Sequence, residues 1–228
     1  MANVEPRPTF DDYAESYDAL HAASIAASGE STEYFAQYKL ECLLRLGLPR
    51  DQPILDYGCG IGNLTEQLVG HFRSVHAFDP STKSLELARR RAPAVTFHED
   101  AAALPPRHFH AVLLAGVLHH IPLGERSALL QNVRERLAPG GKVVIFEHNP
   151  ANPLTRRAVS SCPFDDDAVL LWPREAKRIL RSAGYSQIRR RYIVFFPRPL
   201  ARLRGFEPYL GWLPLGAQWM IVASGEVG

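Results

Sequence analysis

Residues 54–65 combine an apolar run, an acid and three alternating glycines, and this combination restricts the fold more than any other stretch. The apolar run ends at Asp56, glycines occupy positions 58, 60 and 62, and a helical spacing of apolar residues begins at Leu64. That order predicts a strand, a tight turn and the start of a helix. Glycine lets a backbone adopt positive φ and lets a ligand approach where a Cβ would collide. The turn therefore indicates a ligand-binding loop in an α/β fold.

The chain up to residue 147 continues to alternate strands with helices, which predicts a parallel, doubly wound sheet with right-handed crossovers. Ligands of such sheets bind outside the carboxyl ends of the strands. A Pro-Gly-Gly turn at residues 139–141 is expected to end the predicted helix Gly124–Leu137. The predicted strands are Ser74–Phe78, Val95–His98, Ala111–Ala115 and Lys142–Glu147, and the predicted helices are Ser84–Arg91 and Gly124–Leu137.

The N-terminal region predicts helices rather than strands. Residues 10–27 suggest short helical turns in which Tyr13 and Tyr17 share a face, and Ser31–Leu46 predicts a longer helix that begins at a serine or threonine cap. At 228 residues the chain is long enough for one large α/β domain with a buried core.

After residue 147 the alternation loosens. A helix is predicted at Pro173–Ser182, and strands are predicted at Ile188–Phe196 and Gln218–Ala223. The long, proline-rich connection between these strands is of the kind that usually serves a specific function. Its Trp212 and Pro214 are expected to pack in the core, and the alternatives are a cap on an apolar pocket or a contact with a membrane surface.

The formal net charge of +2 conceals an asymmetry along the chain. Residues 1–150 carry 14 basic and 18 acidic side chains, whereas residues 151–228 carry 12 basic and 6 acidic side chains. The basic half is suited to an anionic substrate, although scattered arginines more often form a solvated surface.

Cysteine content and the first residues indicate a soluble, cytoplasmic protein. The three cysteines, Cys42, Cys59 and Cys162, show no regular spacing, which argues against a disulfide framework and against a zinc site. Residues 1–9 contain an acid, an arginine and prolines where a signal peptide would need a basic start and an apolar run. No segment has the length of a transmembrane helix.

The glycine spacing narrows the ligand class. A GxGxxG dinucleotide fingerprint beginning at Gly58 would place its third glycine at position 63, where this chain has Asn63. The Gly-Lys-Ser/Thr sequence of a phosphate-binding P-loop is also missing. The turn therefore favours a nucleoside ligand without a pyrophosphate.

Three acids, Asp56, Asp79 and Asp100, stand at the ends of three successive predicted strands. Asp79 follows Gly58 by 21 positions, and Asp100 follows Asp79 by another 21. At this distance a strand-end carboxylate reaches ribose hydroxyls, and a carboxylate one unit further can accept from the exocyclic amine of adenine. Asp56, beside the glycines, is placed to orient a cationic amino group. Each acid alone would be read as a loop residue or a helix cap, but three matching positions indicate one shared ligand.

Five motifs in this order resemble the signature of class I S-adenosylmethionine-dependent methyltransferases of the small-molecule type. The resemblance covers roughly residues 10–150 and implies a Rossmann-like sheet of seven strands with the last one antiparallel. The motifs are Leu55 to Gly62, Phe78 to Ser81, Glu99 to Ala101, Val117 to Pro122 and Leu137 to Lys142.

The resemblance also implies a cofactor, S-adenosylmethionine, and assigns residues to it. Asp56 and the glycine turn belong to the methionine end, Asp79 to the ribose, and Asp100 to the adenine. Residues 10–18 are similar to a lid in which Tyr17 closes over the cofactor, and Lys39 is assigned to the cofactor carboxylate. The full implied set is Tyr17, Lys39, Asp56, Gly58, Cys59, Gly60, Asp79, Pro80, Asp100, Ala101 and Ala115. The implied organisation is an N-terminal helical lid at residues 1–50 and a methyltransferase domain at residues 51–228, with substrate-side insertions at 148–217.

A general base is required only if the methyl acceptor must lose a proton early. His148 is the preferred candidate because it follows the last parallel strand and because histidine titrates near neutral pH. His120 is the second candidate, and His119 and Glu147 are further strand-end options.

The expected acceptor is a small molecule with an oxygen nucleophile, from secondary-metabolite, sugar or lipid-linked biosynthesis, and an anionic substrate fits the basic half. Enzymes that methylate amino groups of nucleic acids carry an Asp-or-Asn-Pro-Pro-aromatic motif after the fourth strand, and this chain has Ala115-Gly116-Val117 at that place. No nucleic-acid module and no metal site is recognisable in the sequence. The alternatives are an RNA or protein methyltransferase, a nicotinamide oxidoreductase, or a pseudo-enzyme that only binds the cofactor. The oligomeric state, monomer or dimer, stays open.

Overall fold

A seven-stranded sheet forms the centre of the computed structural model, which describes residues 10–225. The strand order is β3-β2-β1-β4-β5-β7-β6, and β7 runs antiparallel to both of its neighbours. The predicted Rossmann-like sheet with an antiparallel last strand is therefore confirmed. Residues 1–9, on which the expectation about a signal peptide rests, lie outside the described range. The strands are β1 (Pro53–Tyr57), β2 (Ser74–Phe78), β3 (Thr96–His98), β4 (Phe109–Ala115), β5 (Leu137–His148), β6 (Tyr185–Ile193) and β7 (Gln218–Gly225).

Helices cover both faces of this sheet. Within residues 10–225, no helix is long and apolar enough to cross a membrane. Additional 3-10 helices lie at Ala26–Ser28, Ala101–Ala103, Leu118–His120, Pro163–Asp165 and Arg198–Phe206. The α-helices are α1 (Phe10–Tyr13), α2 (Tyr17–Ile25), α3 (Thr32–Arg45), α4 (Asn63–Val69), α5 (Thr82–Arg91), α6 (Arg126–Arg136), α7 (Pro153–Ser160), α8 (Pro173–Ser182) and α9 (Glu207–Leu210).

The core consists of two apolar clusters, one on each face of the sheet. Side chains alternate between the two faces along a strand, so Val112 and Leu114 of β4 join one cluster while Ala111 and Leu113 join the other. The first cluster packs against α6 and α8, and the second packs against α3 and α4. Because all four of these β4 residues are fully buried, β4 is a central strand covered on both sides.

Two local predictions differ from the structure. The Pro-Gly-Gly sequence does not separate α6 from β5 as a turn, because β5 already begins at Leu137 and the pairing with β4 shifts between Phe109 and Ala111. Residues 138–141 therefore form a bulge within the strand. Helix α7 is the second difference: no helix is predicted there from the sequence, although asparagine, here Asn152, caps a helix and proline, here Pro153, suits its first turn.

The loop after β5 fixes the chain segment that leads into β7. The Asn149 amide is fully buried and donates to the carbonyls of Pro214 at 3.0 Å and Gly216 at 2.7 Å. Asn152 donates to Leu215 at 2.8 Å, and Thr155 donates to Ala217 at 2.9 Å. Three side chains thus bind four consecutive carbonyls, which gives the end of the proline-rich connection a defined position.

We predict that Asn149→Ala destabilises the protein by about 3 kcal/mol, because it leaves two carbonyls without their donor in a buried place. Urea denaturation followed by circular dichroism measures this change. Asn152→Ala is the matched control, since its side chain bonds at the surface, and we expect a loss of about 1 kcal/mol. Equal losses in the two variants would contradict the assignment of Asn149 as the main anchor.

Candidate functional site

The glycine turn after β1 is held close to the end of β2. The N–H groups of Gly58 and Cys59 both donate to the Phe78 carbonyl, at 2.7 and 2.9 Å. A Cβ at Gly60 (φ 53°) would meet no atom within 4 Å, whereas a Cβ at Gly62 (φ 86°) would lie 3.0 Å from Ala88 of α5. Gly60 therefore borders open space suited to a ligand, while Gly62 lets α4 pack against α5.

A cavity of about 350 Å³ opens at the carboxyl ends of β1, β2 and β4. Asp100 and Ala101 lie outside its lining, and Asp100 instead accepts the Ala102 N–H at 2.8 Å as the cap of its own 3-10 turn. The other nine residues that the sequence assigned to the cofactor all line the cavity: Tyr17, Lys39, Asp56, Gly58, Cys59, Gly60, Asp79, Pro80 and Ala115.

Two buried carboxylates differ in how they are satisfied. Asp79 accepts the N–H groups of Gly60 at 2.7 Å and Ser81 at 2.9 Å. Asp56 accepts from Thr65 at 2.7 Å through Oδ2, but its Oδ1 is buried without a hydrogen-bond partner. Burial raises the pKa of Asp56 to about 6. A buried carboxylate oxygen without a donor is costly, so this position calls for a cationic or donor group from a ligand.

The N-terminal helices cover this cavity. The Tyr17 ring stacks on Phe164 with centroids 4.7 Å apart, and Tyr13 meets the same ring edge-on at 6.4 Å. The two tyrosines thus share a partner, although they lie in separate helices. Asp18 pairs with Arg91 at 2.5 Å and Asp11 accepts from Ser81, so the covering helices are tied to α5 and to the loop before it.

A buried ion network lies beside the cavity. His119 Nδ1 is 2.6 Å from Glu147 Oε2, and His119 Nε2 is 3.5 Å from Asp165 Oδ1. Burial lowers the pKa of His119, but the two carboxylates outweigh this effect and raise the pKa to about 9. His119 is therefore an imidazolium at neutral pH, and Glu147 also accepts the Leu118 N–H at 2.6 Å.

The two neighbouring histidines, His120 and His148, are neutral because they are buried and because His119 is charged. Burial and the positive charge of His119 lower the pKa of His120 to about 4 and that of His148 to about 3. The sequence-based reason for choosing His148, titration near neutral pH, is therefore wrong. One atom each of His119, His120 and Asp165 lie within 4.8 Å of one another, a spacing open to a metal ion. A protonated His119 has no lone pair to offer such an ion.

Two smaller cavities continue from the first. A polar cavity of about 100 Å³ is lined by His119, His120, Glu147, His148 and Asp165 among others. The next cavity, of about 140 Å³, is mainly apolar and includes Phe35, Leu154 and Val194, together with Phe195, Phe196 and Pro197. His21 and Lys39 line all three cavities, and His148 lines the polar and the apolar one. Each of the three cavities therefore adjoins the other two, and Phe35 lines both the first cavity and the apolar one.

Lys39 is the cation that these cavities share. Burial lowers its pKa to about 8, and the nearby charge of Asp56 acts in the opposite direction. The His21 Nδ1 is 2.8 Å from Thr32 Oγ1, and burial lowers the pKa of His21 to about 4.

Sequence reasoning missed His21, Phe35, Phe164 and Asp165. Phe164 and Asp165 belong to an acidic stretch, residues 162–167, that looks like a solvated loop. Only the folded arrangement places Phe164 under Tyr17 and Asp165 beside His119. His21 and Phe35 lie on helices whose apolar pattern indicates core packing, which hides their second role as cavity walls.

Known methyltransferase sequences match the part of the chain that carries the glycine turn and the strand-end acids. The family model described as a methyltransferase domain matches residues 54–141. Trans-aconitate 2-methyltransferase of Methylobacterium nodulans is 34% identical over 132 residues, which cover 54% of this chain. The chain spans about half the length of this curated relative, since the match covers 50% of it.

Solved structures share the fold. A SAM dependent methyltransferase from Archaeoglobus fulgidus superposes with a TM-score of 0.66 at 14% identity, covering 85% of this chain and 95% of that chain. The complex of DhpI with SAH superposes with a TM-score of 0.65 at 21% identity, covering 95% of this chain and 93% of that one. Residues 54–141 thus match a methyltransferase domain, and the chain shares the fold of solved S-adenosylmethionine-dependent methyltransferases.

Proposed function

We propose that this protein transfers a methyl group from S-adenosylmethionine to an oxygen atom of a small amphipathic molecule. The observation that carries this proposal is the row of three adjoining cavities, which offers a place for the cofactor, a polar reaction space and an apolar pocket. Methyl transfer to RNA or protein is less well supported, because the space next to the histidines is narrow and is followed by apolar walls.

The residues around the cavity of about 350 Å³ fit the cofactor. The unpaired Oδ1 of Asp56 suits its amino group, and the buried ammonium of Lys39 suits its carboxylate. Asp79, at the end of β2, is placed for the ribose hydroxyls. We assign the adenine to Asp100 and Ala101 on sequence resemblance alone, since neither lines the cavity. Helices α1 and α2 act as the lid, with Tyr17 as its contact to the cofactor.

When bound, the cofactor supplies an electrophilic methyl group on a sulfonium, so the protein has to align a nucleophile and exclude water. His148 borders both the polar and the apolar cavity, and it is neutral because burial lowers its pKa to about 3. We assign it the acceptance of the hydrogen bond from the acceptor hydroxyl. His120, which lines the cavity of about 350 Å³ and the polar cavity, is the second candidate.

The low pKa of His148 restricts which acceptor hydroxyls can transfer their proton to it. Each unit by which the pKa of the acceptor exceeds that of the base adds about 1.4 kcal/mol to the cost of proton transfer. A simple alcohol is therefore a poor partner and a phenol or an enol is a better one, whereas a carboxylic acid is already ionised at neutral pH and needs no base. The cations of Lys39 and His119 favour the same choice, because a positive charge nearby stabilises a developing oxyanion.

We predict that Asp79→Ala weakens S-adenosylhomocysteine binding about 10- to 100-fold, which is the loss expected for hydrogen bonds to a charged group. Isothermal titration calorimetry measures the dissociation constant. Glu99→Ala is the matched control, because Glu99 also stands at a strand end but pairs with Arg89 at the surface. We expect a change of less than about twofold there. Equal effects in both variants would contradict the ribose assignment.

Turnover against a panel of acceptors tests the proposed function. We expect S-adenosylhomocysteine to form with phenolic or enolic compounds that carry an apolar tail, and to form about tenfold more slowly with their tail-free analogues. Trans-aconitate, a substrate without an apolar tail, belongs in the panel. Turnover of trans-aconitate alone would overturn the proposal, and intact cofactor binding without any turnover would favour a pseudo-enzyme.

His148→Ala, assayed with an acceptor found in this way, should lower kcat at least about 100-fold and leave S-adenosylhomocysteine binding unchanged. Because His148 stays neutral down to a pH far below 6, the wild-type rate should show no loss between pH 8 and pH 6 that depends on this residue. Unchanged turnover in the variant would remove His148 from the mechanism.

We further predict that the His119 imidazolium makes stability depend on pH. Its folded pKa of about 9 exceeds the ordinary value of 6.5, so its contribution is complete below pH 6.5 and is lost as the pH rises through 9. The stability difference between wild type and His119→Gln should narrow by up to about 3 kcal/mol between pH 6 and pH 10. Urea denaturation at each pH measures the free energy of unfolding of both proteins. His71→Gln, at an exposed histidine, is the control. A difference between wild type and His119→Gln that stays constant with pH would show that His119 is neutral.

A further inference from the structure

Large apolar side chains lie exposed on the segment between β6 and β7. They recur at every third position of residues 200–215, and their exposed fraction ranges from 40% at Leu203 to 77% at Tyr209. The sequence-based expectation that Trp212 packs in the core is wrong, because 71% of it is exposed. We call this set the apolar row; its members are Leu200, Leu203, Phe206, Tyr209, Trp212 and Leu215.

The backbone explains the spacing of the first three members. Arg198–Phe206 is a 3-10 helix, kinked at Leu200, and a 3-10 helix has three residues per turn. Leu203 and Phe206 are therefore stacked on one side of this helix, with Leu200 near the kink. The apolar residues recur every three positions and the 3-10 helix has three residues per turn. The backbone therefore directs these side chains to the same, outward side.

Polar residues hold the same segment from its inner side. Glu207 is only 5% exposed, and it accepts the N–H groups of Phe195 and Phe196 at 3.0 Å as well as the Tyr38 hydroxyl. Arg204 pairs with Glu30 and donates to the Phe196 carbonyl at 3.1 Å. The polar side chains of the segment thus contact the rest of the protein, whereas its large apolar side chains face solvent. An ordinary surface segment has the reverse arrangement. Such an arrangement marks an interaction surface.

The charges near the apolar row indicate an anionic partner. Arg198 and Arg202 are exposed on the segment itself. Among residues 10–225, neither of these two arginines forms an ion pair with a carboxylate. The one acid of the segment, Glu207, is buried. Leucine, phenylalanine, tyrosine and tryptophan beside arginine form the composition that binds the surface of an anionic bilayer.

The apolar row adjoins the apolar cavity. Phe195, Phe196 and Pro197 line that cavity and lead directly into the segment that carries the row. Leu154 of α7 also lines the cavity, and 59% of its surface is exposed. A molecule resting in a bilayer against the row would therefore lie next to the entrance of the cavity.

We propose that the apolar row docks this protein on the surface of an anionic lipid bilayer, and that the acceptor enters the apolar cavity from this bilayer. Docking stands on the exposed residues alone, whereas the entry of the acceptor rests on the proposed function. The apolar side chains enter the outer part of the bilayer, and Arg198 and Arg202 contact lipid phosphates.

Co-sedimentation of the full chain with vesicles tests docking without any turnover. We expect binding to vesicles of phosphatidylglycerol and phosphatidylcholine, weaker binding at high salt, and little binding to phosphatidylcholine alone. The triple variant Phe206→Ser, Tyr209→Ser and Trp212→Ser should bind at least about tenfold more weakly. The matched control is Leu123→Ser, which changes an exposed leucine outside the row and should bind as the wild type does.

Tryptophan fluorescence gives a second measurement. In Trp172→Phe the remaining tryptophans are the exposed Trp212 and the fully buried Trp219, so a blue shift on adding anionic vesicles reports the transfer of Trp212. Cofactor binding by the triple variant shows that it is folded. Absence of wild-type binding to the anionic vesicles, or unchanged binding of the triple variant, would overturn docking. Self-association that the triple variant abolishes, without vesicle binding, would instead identify the row as a contact between copies of this chain.

Discussion

A buried imidazolium, His119, joins three parts of the chain that are distant in sequence. It follows β4, its Nδ1 is 2.6 Å from Glu147 of β5, and its Nε2 is 3.5 Å from Asp165 of the 163–165 turn. Burial alone would favour a neutral ring, so the charge persists only while both carboxylates remain beside it. Removing one partner of such a network leaves an uncompensated buried charge, which is strongly destabilising. The position of the 163–165 turn therefore depends on an electrostatic balance.

The N-terminal helices depend on the same balance, because Phe164 is the neighbour of Asp165 in sequence. The Phe164 ring is the surface on which Tyr17 of α2 stacks at 4.7 Å. A shift of the turn would move Phe164 and Asp165 together, and it would change the position of α2 and the shape of the polar cavity at once. The positive charge of His119 also keeps His120 and His148 neutral. One ion network thus sets the shape of the site and the protonation states of its histidines.

The sequence predicted the sheet well, and nine of the eleven residues that it assigned to a cofactor line one cavity, because both features follow from local signals. Strand β2 and helix α8 were predicted with the bounds that the structure gives, since apolar runs and Gly or Pro boundaries mark them. The acceptor side was not predictable, because it is built by contacts across long distances in sequence. Asp165 carries no pattern that separates it from Asp166 and Asp167, and the pKa of His148 is set by burial and by His119.

The C-terminal segments illustrate why hydrophobicity alone misleads there. Core packing is the usual fate of tryptophan, yet the backbone around Trp212 is fixed by polar anchors: Glu207 on one side and Asn149 on the other. With these hydrogen bonds holding the chain, the apolar side chains are not required for folding and can face outward. Glu207 also fixes Phe195 and Phe196, which line the apolar cavity. The wall of the apolar cavity and the exposed surface therefore share one anchor.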